Sequence, residues 1–246
     1  MTQQTADITK QQKQSNRLQP LVAMRAMAKL LKNPEATEEV FVIIRALAGD
    51  AVLRGYRRFK DAADAEVILS SETSLLEVLS DRDSLRALPA GSFGQAYLAF
   101  MEAGNISAEG LKEASDVSDA AGEYLEPRLQ TYALRLRDQH DLWHVLTGFG
   151  PDVAGEACLL AFTYAQTKNR GVGFIGLMGA LKLRRVFGRR FFSSMWQAYR
   201  MGCRTAWLPG QHWETLLAKP LQQVREDLGV TTPDRYTSLP LELVSA

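Results

Sequence analysis

The run His140-Asp-Leu-Trp-His144-Val-Leu-Thr-Gly148-Phe-Gly-Pro151-Asp-Val-Ala-Gly-Glu156 restricts the fold of this chain more than any other. It reads as helix, stop, helix. His140 and His144 share one helical face, because positions four apart stack over one another. Asp141 borders that face. Gly148, Gly150 and Pro151 end the first helix, and Asp152 is placed to cap a second. His144 lies four residues before Gly148, and Glu156 four residues after Asp152. In a helical hairpin each would sit about 6 Å from the turn, one helical turn on either side. Two imidazoles and two carboxylates then converge, a donor set for a divalent metal.

The bland alternative is a pair of partly buried, hydrogen-bonded histidines. It must treat the adjacent Asp141 and the well-placed Glu156 as coincidence. The spacing also differs from the zinc-protease pattern H-E-x-x-H, in which a glutamate follows the first histidine as base. Asp141 is one carbon shorter and better suited to ligating than to reaching a bound water, so a protease is not the reading.

No sustained strand alternation, internal repeat or long linker interrupts the chain, and the expected class is all-α, a single-domain helical bundle. The expected limits are a disordered polar leader over 1–16, one domain over 17–230 and an extended tail over 231–246. Cys158 and Cys203 are far apart and suggest neither a disulfide framework nor a cysteine zinc site. No secretory signal and no window long enough to span a bilayer is found. Any membrane contact would be peripheral.

The net charge of +1 hides an asymmetry. Between Ala157 and Trp213 there is no Asp or Glu, but there are nine cations: Lys168, Arg170, Lys182, Arg184, Arg185, Arg189, Arg190, Arg200 and Arg204. Such a bias implies an anionic partner. Aromatic residues interleave the basic stretch from Leu181 to Arg204. That could suit single-stranded nucleic acid, a membrane surface or an anionic lipid, although aromatics at helical spacing more often face a core. No nucleic-acid fold signature is present.

Along the chain, Leu18 to Lys32 is an amphipathic basic helix that either packs on the body or lies on an anionic membrane. Asn33-Pro34 reads as a helix start, and Asp50 to Lys60 continues helically. Leu75 to Leu79 and Asp81 to Leu88 are short helices. Ser92-x-x-Gln95 has the capping-box pattern, and Ser107 starts another short helix. Arg128 to Thr147 reads as one helix of about 30 Å. Arg137 on it is placed for a supporting salt bridge to Asp141, with a solvated arginine as the alternative. Gly171, Gly173, Gly176 and Gly179 punctuate an apolar run, either an irregular buried connection or a face that another backbone or an acyl chain approaches. His212 has no partner at ligand spacing and is left out of the site. Pro220 starts a last helix ending at Leu228-Gly229.

His140-Asp-x-x-His144 followed by eleven residues and Glu156 resembles the signature of the coenzyme Q (ubiquinone) biosynthesis protein 4 family. Pro89-x-Gly91-Ser-Phe-Gly94-x-x-Tyr97-x-x-Phe100-Met101, Gly202-x-Arg204, Trp213-Glu214 and Pro220-Leu221 are family-like as well. The resemblance covers roughly residues 20 to 230. His212 departs from it, standing where an acidic residue is expected. The resemblance implies a divalent metal at His140, Asp141, His144 and Glu156, with zinc foremost and iron, manganese or cobalt also accepted. It implies peripheral attachment to a membrane, at the cytoplasmic face in a bacterial setting, and work on a prenylated aromatic quinone precursor beside other ubiquinone biosynthesis proteins. A homodimer is left open. Two activities are associated with such proteins: oxidative decarboxylation of the ring, which replaces the C1 carboxylate with a hydroxyl, and non-catalytic scaffolding. A metallohydrolase acting on a phosphate ester is a third reading, weakened by the lack of further His/Asp motifs. Arg184, Arg185, Arg189 and Arg190 are the candidate lipid- or anion-binding residues, and the glycine-punctuated run a candidate lining for a prenyl tunnel.

Overall fold

Residues 17–33, 36–104 and 126–244 are described by this computed structural model, and their regular structure is helical apart from one isolated antiparallel bridge between Ser92 and Pro220. The all-α reading is confirmed. The first half comprises α1 (Pro20–Lys32), α2 (Thr37–Ala48), α3 (Ala51–Lys60), α4 (Ala65–Ser70), α5 (Leu75–Ser80), α6 (Arg82–Arg86) and α7 (Phe93–Ala103). The second comprises α8 (Pro127–Asp138), α9 (His140–Thr147), α10 (Val153–Thr167), α11 (Arg170–Phe187) and α12 (Arg189–Arg204). It closes with α13 (Trp213–Leu216), α14 (Leu221–Leu228) and α15 (Asp234–Thr237).

α10 is the central element. Ala154, Ala157, Cys158, Leu159 and Phe162 on it are all buried. A helix apolar on most of its circumference belongs in an interior. α11 and α12 pack along it, and α9 sets Trp143 edge-on against Phe162, with ring centroids 5.9 Å apart. Two smaller clusters flank this core. In one, Met27 of α1 and Ile43 of α2 meet Ile175 of α11; in the other, Phe59, Ile68, Leu129 and Tyr132 join α3, α4 and α8.

Several elements depart from the sequence expectations for physical reasons. The expected helix from Arg128 to Thr147 is divided at Gln139. There Asp138 and Gln139 are both buried, and the Gln139 Oε1 accepts a 2.7 Å hydrogen bond from the Trp213 indole. The glycine-punctuated run is a continuous helix, α11, rather than an irregular connection. Its glycine faces are filled by the chain's own atoms: a Cβ on Gly171 would lie 2.5 Å from the Ile44 Cα, and one on Gly173 would lie 2.8 Å from the Tyr164 ring. At these two positions the glycines let the chain pack closely on itself. The segment after 230 is not an extended tail. It carries α15 and a 3-10 turn, Leu241–Val244, and buries Tyr236 and Leu239 in the main core. The domain therefore continues past the expected boundary.

α1 packs on the body through one face and leaves apolar residues outward on the other. Ala23, Ala26 and Met27 pack inward, while Leu21 and Met24 remain 69% and 62% exposed. No helix of the described residues is long and apolar enough to cross a membrane. The helix after Asn33 begins at Thr37, and the start read at Pro34, the polar leader and the short helix at Ser107 lie outside the described residues. Ser92 caps α7 by accepting from the Gln95 N–H. The Gln95 side chain does not close the box but donates to the Arg86 and Leu88 carbonyls.

Candidate metal centre

The turn between α9 and α10 forms as its residue types require. Gly148 adopts φ 76°, the left-handed conformation that ends α9, and its N–H donates to the His144 carbonyl at 2.8 Å. The last carbonyls of α9 are closed from outside: Arg225 donates to Leu146 O and Val145 O, both at 2.9 Å. Asp152 Oδ1 caps α10 by accepting the Ala154 and Gly155 N–H groups at 3.0 Å. Gly155 admits the turn. A Cβ there would lie 2.1 Å from the Gly150 carbonyl oxygen.

His144 is the floor of the site, 1% exposed, while the His140 and Glu156 side chains form a half-open rim at 43% and 42%. The His144 Nδ1 donates to the Phe149 carbonyl at 2.9 Å, and its ring stacks on Phe100 with centroids 5.4 Å apart. That bond fixes the tautomer. The Nε2 therefore faces the site, an acceptor in the neutral ring and a donor to Glu156 in the protonated one, 3.3 Å from the His140 Nε2 and 3.1 Å from the Glu156 Oε1. The Glu156 Oε2 lies 3.6 Å from the His140 Nε2. His140, Asp141 and His144 each offer one ligand atom within 4.8 Å of the others.

These positions fit a divalent ion. Two nitrogens bound at about 2.0–2.1 Å to one tetrahedral centre stand about 3.3 Å apart. The Nε2 pair has that separation. A metal-ligating histidine also normally donates its other ring N–H to a carbonyl or carboxylate, as His144 does. The same proximity sets the charges of the three groups. Burial acts to raise the Glu156 carboxyl, but the hydrogen bonds and charge of His140 and His144 outweigh it and lower it to about 2. Burial acts to lower His140, and the facing Glu156 carboxylate with Asp141 outweighs it, so the imidazole is shifted upward.

The structure brings His140, His144 and Glu156 together and keeps Asp141 at their border. Arg137, expected to pair with Asp141, pairs with the buried Asp138, its Nε 2.8 Å from Oδ1. Arg184, Arg185, Arg189 and Arg190 are all exposed and flank Gly188, the corner between α11 and α12. His212 stands apart, with Asp64 at 3.9 Å and Glu214 at 3.8 Å. The supports of the site lay outside the sequence reading. The Tyr236 hydroxyl accepts the Gly150 N–H at 2.9 Å and donates to the Asp152 Oδ2. Phe100 and Arg225 act from α7 and α14. No local spacing links these three residues to the histidines, although Phe100 stands in the family-like run before α8.

A family model described as "Coenzyme Q (ubiquinone) biosynthesis protein Coq4" matches residues 10–234. The chain belongs to the Coq4 family. Among curated Coq4 proteins it is 29% identical over 155 residues to the mitochondrial ubiquinone biosynthesis protein of Yarrowia lipolytica, covering 62% of this chain and 56% of that protein. It is 29% identical over 176 residues to the mitochondrial homologue of Bos taurus, covering 71% and 63%. The chain thus spans somewhat more than half the length of these Coq4 relatives. The crystal structure of a Nostoc punctiforme protein, provisionally assigned by its name to ubiquinone biosynthesis, superposes with a TM-score of 0.61 at 22% identity. It covers 88% of this chain and all of that one, which establishes a shared fold.

Proposed function

We propose that this Coq4 protein binds a divalent metal through His140, Asp141, His144 and Glu156 and carries out oxidative decarboxylation of a prenylated aromatic acid in ubiquinone biosynthesis. One observation carries the metal reading. Two imidazole Nε2 atoms and a carboxylate face one another within 3.6 Å, an arrangement of acceptors that needs a proton or a cation between them. Zinc held there would supply Lewis acidity toward a carboxylate or phenolate, and iron, manganese or cobalt would add redox capacity for oxygen chemistry. In the reaction the ring–carboxylate bond breaks and carbon dioxide leaves, a carbon–oxygen bond to an oxygen from water takes its place, and dioxygen takes up the two electrons and two protons released and leaves as hydrogen peroxide.

The chain's own residues divide the remaining work. His144, locked by Phe149 and Phe100, sets the depth of the site. His140 and Glu156, half exposed, stand where an aromatic head group arrives. Phe100, stacked on the His144 ring, makes the inner side apolar. Attachment to an anionic membrane surface, with the site open to a lipid-borne substrate, is supported by the outward Leu21 and Met24 of α1 and by the exposed cations around Gly188.

The alternative is a non-catalytic scaffold that presents the prenyl lipid to other ubiquinone biosynthesis proteins. It is favoured by the cations of the acid-free stretch, none of which forms an ion pair among the described residues. Elemental analysis of the wild type, His140→Ala and Glu156→Ala tests the metal. The reading expects about one ion per chain, lost in both variants. Turnover separates the roles. If His144→Ala abolishes the hydroxylated product and keeps lipid and partner binding, the enzyme reading stands; joint loss of binding and assembly favours the scaffold.

A further inference from the structure

A second charged feature lies on α12, built from residues the metal centre does not use. A cleft of 280 Å³ opens between α12 and the C-terminal strap that follows α14. Arg200, Arg204 and Arg235 line it together with Trp196, Gln197 and Thr231, and no carboxylate is among its lining residues. The α12 residues stand at positions 196, 197, 200 and 204, one face of one helix. Arg235 comes from α15.

Arg200, Arg204 and Arg235 are all exposed, and like charges set along one cleft repel one another unless an anion lies between them. The Arg200 and Arg204 guanidiniums, with five donors each, make no ion pair among the described residues and are open to a ligand. The third arginine is held in place. The Arg235 N–H donates to the Gln197 Oε1 at 3.0 Å, its carbonyl accepts from Ser194 at 3.0 Å, and its guanidinium reaches Ser193. The backbone at the cleft's far edge is therefore fixed by two side chains of α12, Gln197 and Ser194, and the guanidinium by a third, Ser193.

The apolar side is equally ordered. Trp196 is 56% exposed, yet its ring is buttressed by stacking on Tyr199 with centroids 5.6 Å apart, and Tyr199 stacks in turn on Tyr164 at 6.2 Å. A rigid exposed indole beside three arginines matches an anion joined to an apolar or planar body. Phosphate suits the arginines best, because a guanidinium donates to two of its oxygens at once.

We propose that this cleft binds a phosphate group borne either by an anionic phospholipid head group or by a free phosphomonoester. The site is distinct from the metal centre, so His144→Ala leaves it intact while emptying the metal site. The two proposals therefore fail separately.

The test compares the full chain with Arg200→Gln/Arg204→Gln, and with Arg57→Gln/Lys60→Gln on α3 as a control of equal charge loss at exposed positions outside the cleft and away from Gly188. The probes are glycerol 3-phosphate in solution and phosphatidylcholine vesicles with and without phosphatidic acid. Tryptophan fluorescence and vesicle co-sedimentation are the readouts. The cleft variant is expected to weaken binding by about tenfold or more beyond the control, because each lost charged hydrogen bond is worth that much. Its melting temperature should match the wild type, since both arginines are exposed. A saturable response to glycerol 3-phosphate, lost in the cleft variant, identifies a free phosphate as sufficient. A response confined to phosphatidic acid vesicles, lost in the same way, identifies the lipid. Equal losses in the two double variants reduce the effect to general surface charge and overturn the proposal, as does the absence of any response to both probes.

Discussion

Gly155→Ala tests whether the α9–α10 turn is held by backbone contact. An alanine Cβ would lie 2.1 Å from the Gly150 oxygen, 2.8 Å from its nitrogen and 2.9 Å from its carbonyl carbon. Reaching an ordinary 3.4 Å contact requires the turn to retreat by about 1.3 Å. Helix propensity opposes this, since alanine is favoured over glycine by at most about 1 kcal/mol. Overpacking against a side chain that can swing away costs about 1–3 kcal/mol. Here the obstacle is backbone, and its retreat also strains two bonds, Gly150 N–H to Tyr236 and His144 Nδ1 to Phe149 O. Each is worth about 1 kcal/mol. The net expectation is a loss of about 2–3 kcal/mol. In a chain of this size that is a fall in melting temperature of about 5–10 °C. Metal affinity should fall by about tenfold or more, because the carbonyl that orients His144 has moved. Gly171→Ala is the control. It clashes with the Ile44 backbone at 2.5 Å, away from the histidines, and should lower the melting temperature without changing metal affinity. Calorimetry and a competitive metal titration measure both. A Gly155→Ala protein as stable as the wild type would show that propensity wins and that the turn is not pinned.

Tyr236→Phe removes the acceptor of the Gly150 N–H and a donor to Asp152, and should cost about 1–3 kcal/mol in denaturant unfolding. Glu214→Gln breaks the bidentate pair with Arg135, whose side chain is 5% exposed, with distances of 2.6 and 2.7 Å. Because Glu214 itself keeps 24% of its surface, the cost should fall near about 2–3 kcal/mol, below that of a fully buried pair. Burial acts to raise the Glu214 carboxyl, but Arg135 outweighs it and holds it below the usual range. Its contribution is therefore complete above the unfolded glutamate value of about 4.3 and is lost as pH falls through the lower folded value. Wild-type stability should drop more steeply than that of Glu214→Gln below about pH 4, and parallel acid limbs in urea titrations would contradict the pairing. Phe162→Ala, at the centre of α10 and fully buried, should cost about 3–5 kcal/mol by the same measurement.

The sequence by itself determined the helical class, the Gly148 and Asp152 caps, the hairpin and the register that sets His144 opposite Glu156. These are local properties: 3.6-residue periodicity, a left-handed glycine and a capping carboxylate act within a few residues of one another. Tertiary structure decided the rest. The division of the long helix at Gln139 depends on Trp213, 74 residues away. The glycines of α11 took their meaning from Ile44, Tyr164 and Leu160, which fill the faces they leave open. Arg137, read from spacing as a partner of Asp141 or as solvated, pairs with Asp138, whose burial only the packed structure shows. The segment after 230 looked like a tail because its two prolines disfavour long helices, yet its Tyr236 locks the turn that carries the candidate ligands. Such contacts come from chain segments far apart in sequence, and only the packed core around α10 brings them within hydrogen-bond reach.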